Sequence, residues 1–102
     1  ATFDVVASFG ALNRVSSVEK YVQALKHHAK YKLIVTVDNR NSGSWPEVYN
    51  RLFTPFELLQ LFPGNNQYYV SESGTGYDAR EVNAFDFLNS KARSIGIVHS
   101  GV

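Results

Sequence analysis

One segment of this chain carries a clear helical period, and the stretches on either side of it read as extended. Val18, Tyr21, Val22, Leu25 and Ala29 recur at helical spacing, while Lys20, Gln23, Lys26, His27 and Lys30 face elsewhere. Just ahead of them Ser16-Ser17-Val18-Glu19 reads as a capping box, with Ser16 as N-cap and Glu19 reaching back. The pattern predicts one amphipathic helix of about four turns. Such a helix has one apolar face, and the strand-like segments around it must supply the surface that covers that face.

Those segments are easily traced. FDVVASFG precedes the helix as an extended start, and the β-branched run LIVTV follows it. DNRNSGS reads as a loop, and WPEVYNRLF resumes extended, with Pro46 near its start where a strand tolerates it. FELLQLF is apolar enough for a central strand, with a short helix as the alternative, and PGNN closes it with turn residues. QYYVSESGTGYDAREVNAFDF holds a glycine-rich loop between two strand-like stretches. LNSKA reads as a hairpin turn, and SIGIVHSGV as the last strand. The expected fold is α+β, a single helix packed on an antiparallel sheet, with residues 1–102 forming one domain.

Composition agrees. A chain of 102 residues with 44% hydrophobic and 19% charged residues is sized for one core, and seven Phe, six Tyr and one Trp promise an aromatic one. A net charge of +1 gives no global pull toward a polyanion, so any nucleic-acid site must rest on placed residues. The chain has no cysteine, which excludes disulfides and thiolate metal sites. No apolar run approaches a membrane span, so no membrane partner is expected.

Several chemistries are excluded by their missing patterns. His27 and His28 are neighbours on a helix and diverge, so they cannot share an ion as an i, i+4 pair can. Phosphate-loop and dinucleotide fingerprints are absent, the GTG of Gly74 to Gly76 lacks a strand-to-helix context, and no nucleophile elbow accompanies His99. Three polar residues remain, each inside an otherwise apolar stretch: Glu57 in PFELLQLF, Arg80 in YDAREV and His99 in GIVHSG. Gathered on one face they would supply a base, a phosphate clamp and an acid. That set suits attack of a ribose 2′-hydroxyl on its own phosphate with no metal or other cofactor. Each residue also has a plain structural reading, as a surface charge, its ion-pair partner and a strand residue.

The order S-W-P-E-V-Y-N, F-E-L-L-Q-L, G-Y-D-A-R-E-V and G-I-V-H-S-G behind a single helix resembles the fungal guanyl-specific ribonucleases. These share their fold with the sarcin-type ribotoxins and with ribonuclease-like secreted fungal effectors. The resemblance implies Glu57 as general base, Arg80 as phosphate-stabilising arginine and His99 as general acid. Trp45 falls at the position of a phosphate-contacting tyrosine, and Tyr49, Asn50 and Arg51 at the start of a base-recognition loop. It implies cleavage of single-stranded RNA through a 2′,3′-cyclic phosphate by a secreted monomer. In the effector branch it implies a catalytically inactive protein, delivered into a host cell, that binds RNA, a host protein or an immune receptor. The chain departs from the pattern at Glu47, which stands where the family has a second catalytic histidine, and around Phe53, where the guanine-pairing glutamate is missing. A carboxylate at position 47 would repel phosphate and compete for Arg80.

Overall fold

The computed structural model describes residues 1–43 and 51–100. Its elements in chain order are β1 (Phe3–Phe9), a 3₁₀ turn (Ala11–Asn13), α1 (Val18–His28), β2 (Ala29–Asp38), a second 3₁₀ turn (Arg40–Ser42), α2 (Pro55–Leu61), β3 (Asn65–Ser71), β4 (Arg80–Val82), α3 (Ala84–Leu88) and β5 (Ser94–Ser100). The five strands form one sheet in the order β1-β2-β5-β3-β4. The fold is α+β, as expected. Two details differ from the expectation: β1 and β2 run parallel, so the sheet is mixed, and three helices rather than one are present among the described residues.

Parallel pairing of β1 with β2 follows from the helix between them. A strand, a helix and a returning strand make a crossover unit, which sets its two strands parallel where a hairpin would set them antiparallel. The cap of α1 is Ser17, whose hydroxyl accepts the Lys20 N–H at 3.4 Å, one residue later than the capping-box reading placed it. Val22 and Leu25 are the buried residues of this helix.

FELLQLF, expected first as a strand, is helix α2. Thr54 is its N-cap, Pro55 occupies the first turn, and Glu57 completes a capping box: the Thr54 hydroxyl accepts the Glu57 N–H at 3.1 Å, and the Glu57 carboxylate accepts the Thr54 N–H at 3.0 Å. Two orphan donors of the helix start are satisfied reciprocally, and proline fits the first turn, where its missing N–H costs nothing. NAFDF, expected at the end of a strand-like stretch, and the start of LNSKA, expected as a hairpin turn, form α3 and its C-cap, with Asn83 Oδ1 accepting the Asp86 N–H at 2.7 Å at the other end.

The helices cover one face of the sheet. Leu33, Val35 and Val37 of β2 meet Ile95 and Ile97 of β5 and Val70 of β3, and Leu12, Val22, Leu25, Phe53, Leu58, Phe62 and Phe87 close over them in one cluster. Phe53, Phe62 and Phe87 are fully buried, each contributing about 1.5–3 kcal/mol through the apolar area it removes from water. Asn39, at 0% exposure, fastens the end of β2: its Nδ2 donates to Ser90 O at 3.0 Å and Ala92 O at 2.9 Å, and its Oδ1 accepts the Asn41 N–H at 3.0 Å.

Candidate binding site on the open face of the sheet

The three residues singled out from sequence are not brought together. Glu57, inside its capping box, pairs with Arg51 at 3.2 Å and Arg40 at 3.5 Å. Partial burial pushes its carboxyl up, but the Thr54 N–H, Arg40, the Thr54 hydroxyl and Arg51 outweigh it and hold the group below the ordinary carboxylate value, so the charge is already committed to cations. Arg80 lies at the sheet edge on β4, exposed, and donates to Glu72 at 3.2 Å. His99 is 6% exposed and turned into the helix-covered side. Its Nδ1 lies 2.7 Å from Asn66 Oδ1, and its ring centroid 6.0 Å from that of Phe62.

The Asn66 amide donates from Nδ2 to Phe62 O at 2.7 Å, which leaves Oδ1 to accept and fixes the His99 proton on Nδ1. Burial, with the Lys26 charge adding to it, pulls the imidazole below its ordinary value, which disfavours the protonated form a general acid needs. Register separates it from Arg80. Arg80 pairs with Val70, which pairs with Ile95, whereas His99 lies four positions further along β5 and two strands away from β4. At about 3.3 Å per residue and 4.8 Å per strand their Cα atoms are about 16 Å apart, with the Ile97 and Tyr68 row between them.

Arg51 is an anchor. Its guanidinium lies 4.7 Å from the Phe53 ring centroid while it pairs with Glu57, and its backbone N–H donates to Asn13 O at 2.7 Å. Trp45, Glu47, Tyr49 and Asn50 lie outside the described residues.

What the fold does leave available is the other face of the sheet. Strand alternation that sends Leu33, Val35 and Val37 inward sends Lys32, Ile34 and Thr36 outward. One row of register partners crosses all five strands on that side: Phe9, Thr36, Gly96, Tyr69 and Glu81. The next is Ala7, Ile34, Val98 and Gln67, and the third is Val5, Lys32, Ser100 and Asn65. A cavity of about 660 Å³ lies over the first two rows, with Phe9, Ile34, Thr36, Tyr69, Val98 and Tyr77 among its lining residues. Gly96 makes its floor. A Cβ there would sit 3.0 Å from Thr36 Cγ2 and 3.1 Å from Val35 O, so a side chain would crowd β2 as well as fill the trough.

The rim is built by the turn between β3 and β4. Asp78 accepts from Ser71 Oγ at 2.6 Å, Ser73 Oγ at 2.7 Å and the Ser73 N–H at 3.0 Å, and these bonds hold its carboxyl at about 2. Gly74 and Gly76 take positive φ of 76° and 86°, which lets the chain fold back over this carboxylate. The turn presents Tyr77, 99% exposed, at the mouth of the trough, across from Phe9 at 71%. Sequence reading missed Phe9, Tyr69, Tyr77 and Gly96. The signal for Phe9 was the alternation of Phe3, Val5, Ala7 and Phe9 in β1, which puts apolar residues on a face that no helix among the described residues covers.

Comparison with family models, with curated proteins and with solved structures gives no match to this chain.

Proposed function

We propose that this domain binds single-stranded RNA on the open face of its sheet and does not cleave it. The observation that carries the reading is the row Phe9, Thr36, Gly96 and Tyr69: two rings about 14 Å apart, three strand spacings, flanking a low floor of Thr36 and Gly96. A trough of this width takes planar groups laid across the strands. Unpaired bases stack on aromatic side chains projecting from an open sheet, and hydroxyl and amide groups beside the rings bond to base edges. Thr36 and Gln67 stand in those places, and Asn65 and Lys32 extend the polar surface in the third row of the same face. The carboxylates of Asp38, among the groove residues, and Glu81, at the end of the ring row, restrict the phosphate track to the Lys32 side.

The placement of the ionisable groups supports the non-cleaving reading. A base, a phosphate cation and an acid must converge within hydrogen-bonding reach of one reacting phosphate. Glu57 and Arg80 are ion-paired to other partners, and His99 is buried against Asn66, where its charged form is disfavoured.

The test is titration of short, labelled single-stranded RNA followed by fluorescence anisotropy. Saturable binding is expected, weakened by Phe9→Ala and by Tyr69→Ala through loss of stacking worth about 1–3 kcal/mol per base. With few cations on the face, the logarithm of the binding constant falls with the logarithm of salt at a slope of about −1. Binding unaltered by both ring deletions, or no binding at low salt, refutes the reading.

A further inference from the structure

We infer that the β1 edge is an interface at which a second copy of this chain pairs antiparallel, joining two sheets into one of ten strands. β1 is an outer strand with β2 on one side and, among the described residues, nothing on the other. Gly10 N–H donates to Thr36 O at 3.0 Å, and the register against β2 is regular from Val5 to Phe9, after a shift between Phe3 and Val5, so Val6 and Ser8 turn their backbone groups toward β2. Val5, Ala7 and Phe9 turn theirs outward, a row of donors and acceptors that an added strand can satisfy.

The occupant is specified by the strand itself. FDVVASF is close to palindromic in residue character about Val6: reversed, it places Phe on Phe, Ala on Val and Ser on Asp. A two-fold axis at Val6 therefore sets Phe3 against the partner's Phe9, Val5 against the partner's Ala7 and Asp4 against the partner's Ser8. The surface is self-complementary, as a two-fold interface requires. Like parity also brings the outward backbone groups of the two strands together as hydrogen-bonded pairs. Phe3, Val5 and Phe9, at 59%, 50% and 71% exposure, are large apolar residues in one line on the open face, and each gains an apolar cross-strand partner in this register. The edge carries one charged residue, Asp4, and no lysine or proline to discourage pairing.

A seven-residue strand offers about 24 Å of pairing, which puts the dimer at the weak end of specific interfaces, with dissociation on the order of micromolar. The partner's Phe3 would stand beside Phe9 and lengthen the ring row of the groove, and the association itself is independent of any RNA reading.

Sedimentation equilibrium of the RNA-free protein across a wide concentration range should show monomer and dimer in mass-action balance. Ala7→Pro removes only an outward N–H and should shift dissociation at least about tenfold weaker. The chain has no cysteine, so Val6→Cys introduces its sole thiol. Val6 turns its backbone groups inward and would face its own copy as a non-hydrogen-bonded pair about 4.5 Å apart at Cα, within disulfide reach. Mild oxidation should crosslink Val6→Cys and leave Phe3→Cys, whose two copies lie about 20 Å apart along the strands, uncrosslinked. A mass that stays monomeric at every concentration, a dimer indifferent to Ala7→Pro, or equal crosslinking of the two thiol variants overturns the inference. None of these outcomes bears on the RNA titration.

Discussion

Replacing His99 with Ala separates the structural role assigned to it here from the catalytic role its sequence context suggests. The substitution removes a ring lying 6.0 Å from Phe62, and with it the Nδ1–H bond to Asn66. The hydrogen bond contributes about 1 kcal/mol, and the space left among packed neighbours, with an unpaired Asn66 Oδ1, adds about 1–3 kcal/mol, for a loss of about 2–4 kcal/mol. In a domain of this size that lowers the thermal midpoint by about 10–25 °C. The pH dependence gives a second readout. Burial lowers the folded-state value of His99 below 6.5, so near and below pH 6.5 the unfolded chain takes up a proton that the folded chain refuses. The wild type is therefore at full stability from this group above pH 6.5 and loses it as pH falls through the folded value, whereas His99→Ala lacks that component of the slope. Urea denaturation of both proteins across pH 4–8 (about 1–2 kcal/mol per molar urea) measures each effect. Equal stability of the two proteins, or identical pH slopes, refutes the argument, and RNA cleavage by the wild type that His99→Ala abolishes would restore the catalytic role.

Asn39→Ala strips three hydrogen bonds from a fully buried side chain and leaves the Ser90 and Ala92 carbonyls without that donor; chemical denaturation should report a loss of about 2–4 kcal/mol. Glu57→Gln keeps an acceptor for the capping box but removes the charge facing two half-exposed arginines, so at neutral pH it should cost no more than about 1 kcal/mol. Because the folded value of Glu57 is depressed, the wild-type advantage exists above the ordinary 4.5 and disappears as pH falls through the folded value, which parallel melts of the two proteins will show. Asp78→Asn releases the turn that carries Tyr77; amide exchange should accelerate at Ser73 while β5 amides stay protected, and RNA affinity should fall.

Much of the fold could be read directly because its signals were periodic. β1, α1, β2 and β5 each showed their own spacing, and FDVVASF, LIVTV and SIGIVHS all lie within strands. α2 was harder: Phe56, Leu58, Leu59 and Leu61 make an apolar run that suits a strand as well as a helix, and the deciding signal was Thr54-Pro55-Phe56-Glu57, a capping box with proline in its first turn. α3 is too short to show a period, and only Asn83 ahead of Asp86 marks its start. The candidate site was less visible. Glu57, Arg80 and His99 drew notice as polar residues in apolar surroundings, yet such residues are also what a capping box, a sheet edge and a buried hydrogen-bonded pair require. The rings of the groove come from β1, β3 and the turn before β4, and Phe9 and Tyr69 share a row only after β5 has been inserted between β2 and β3, a pairing no local pattern encodes.

The position of β5 also has a consequence in time. Among the described residues it comes last in chain order, and it joins the β1-β2 pair to the β3-β4 pair. While the ribosome is still adding residues 94–100, the two halves have no hydrogen-bonded seam between them, and the inner faces of β2 and β3 wait uncovered. The β1-α1-β2 crossover is local in sequence, but the sheet is complete only once β5 has entered between β2 and β3, and the row from Phe9 to Tyr69 is assembled by that pairing.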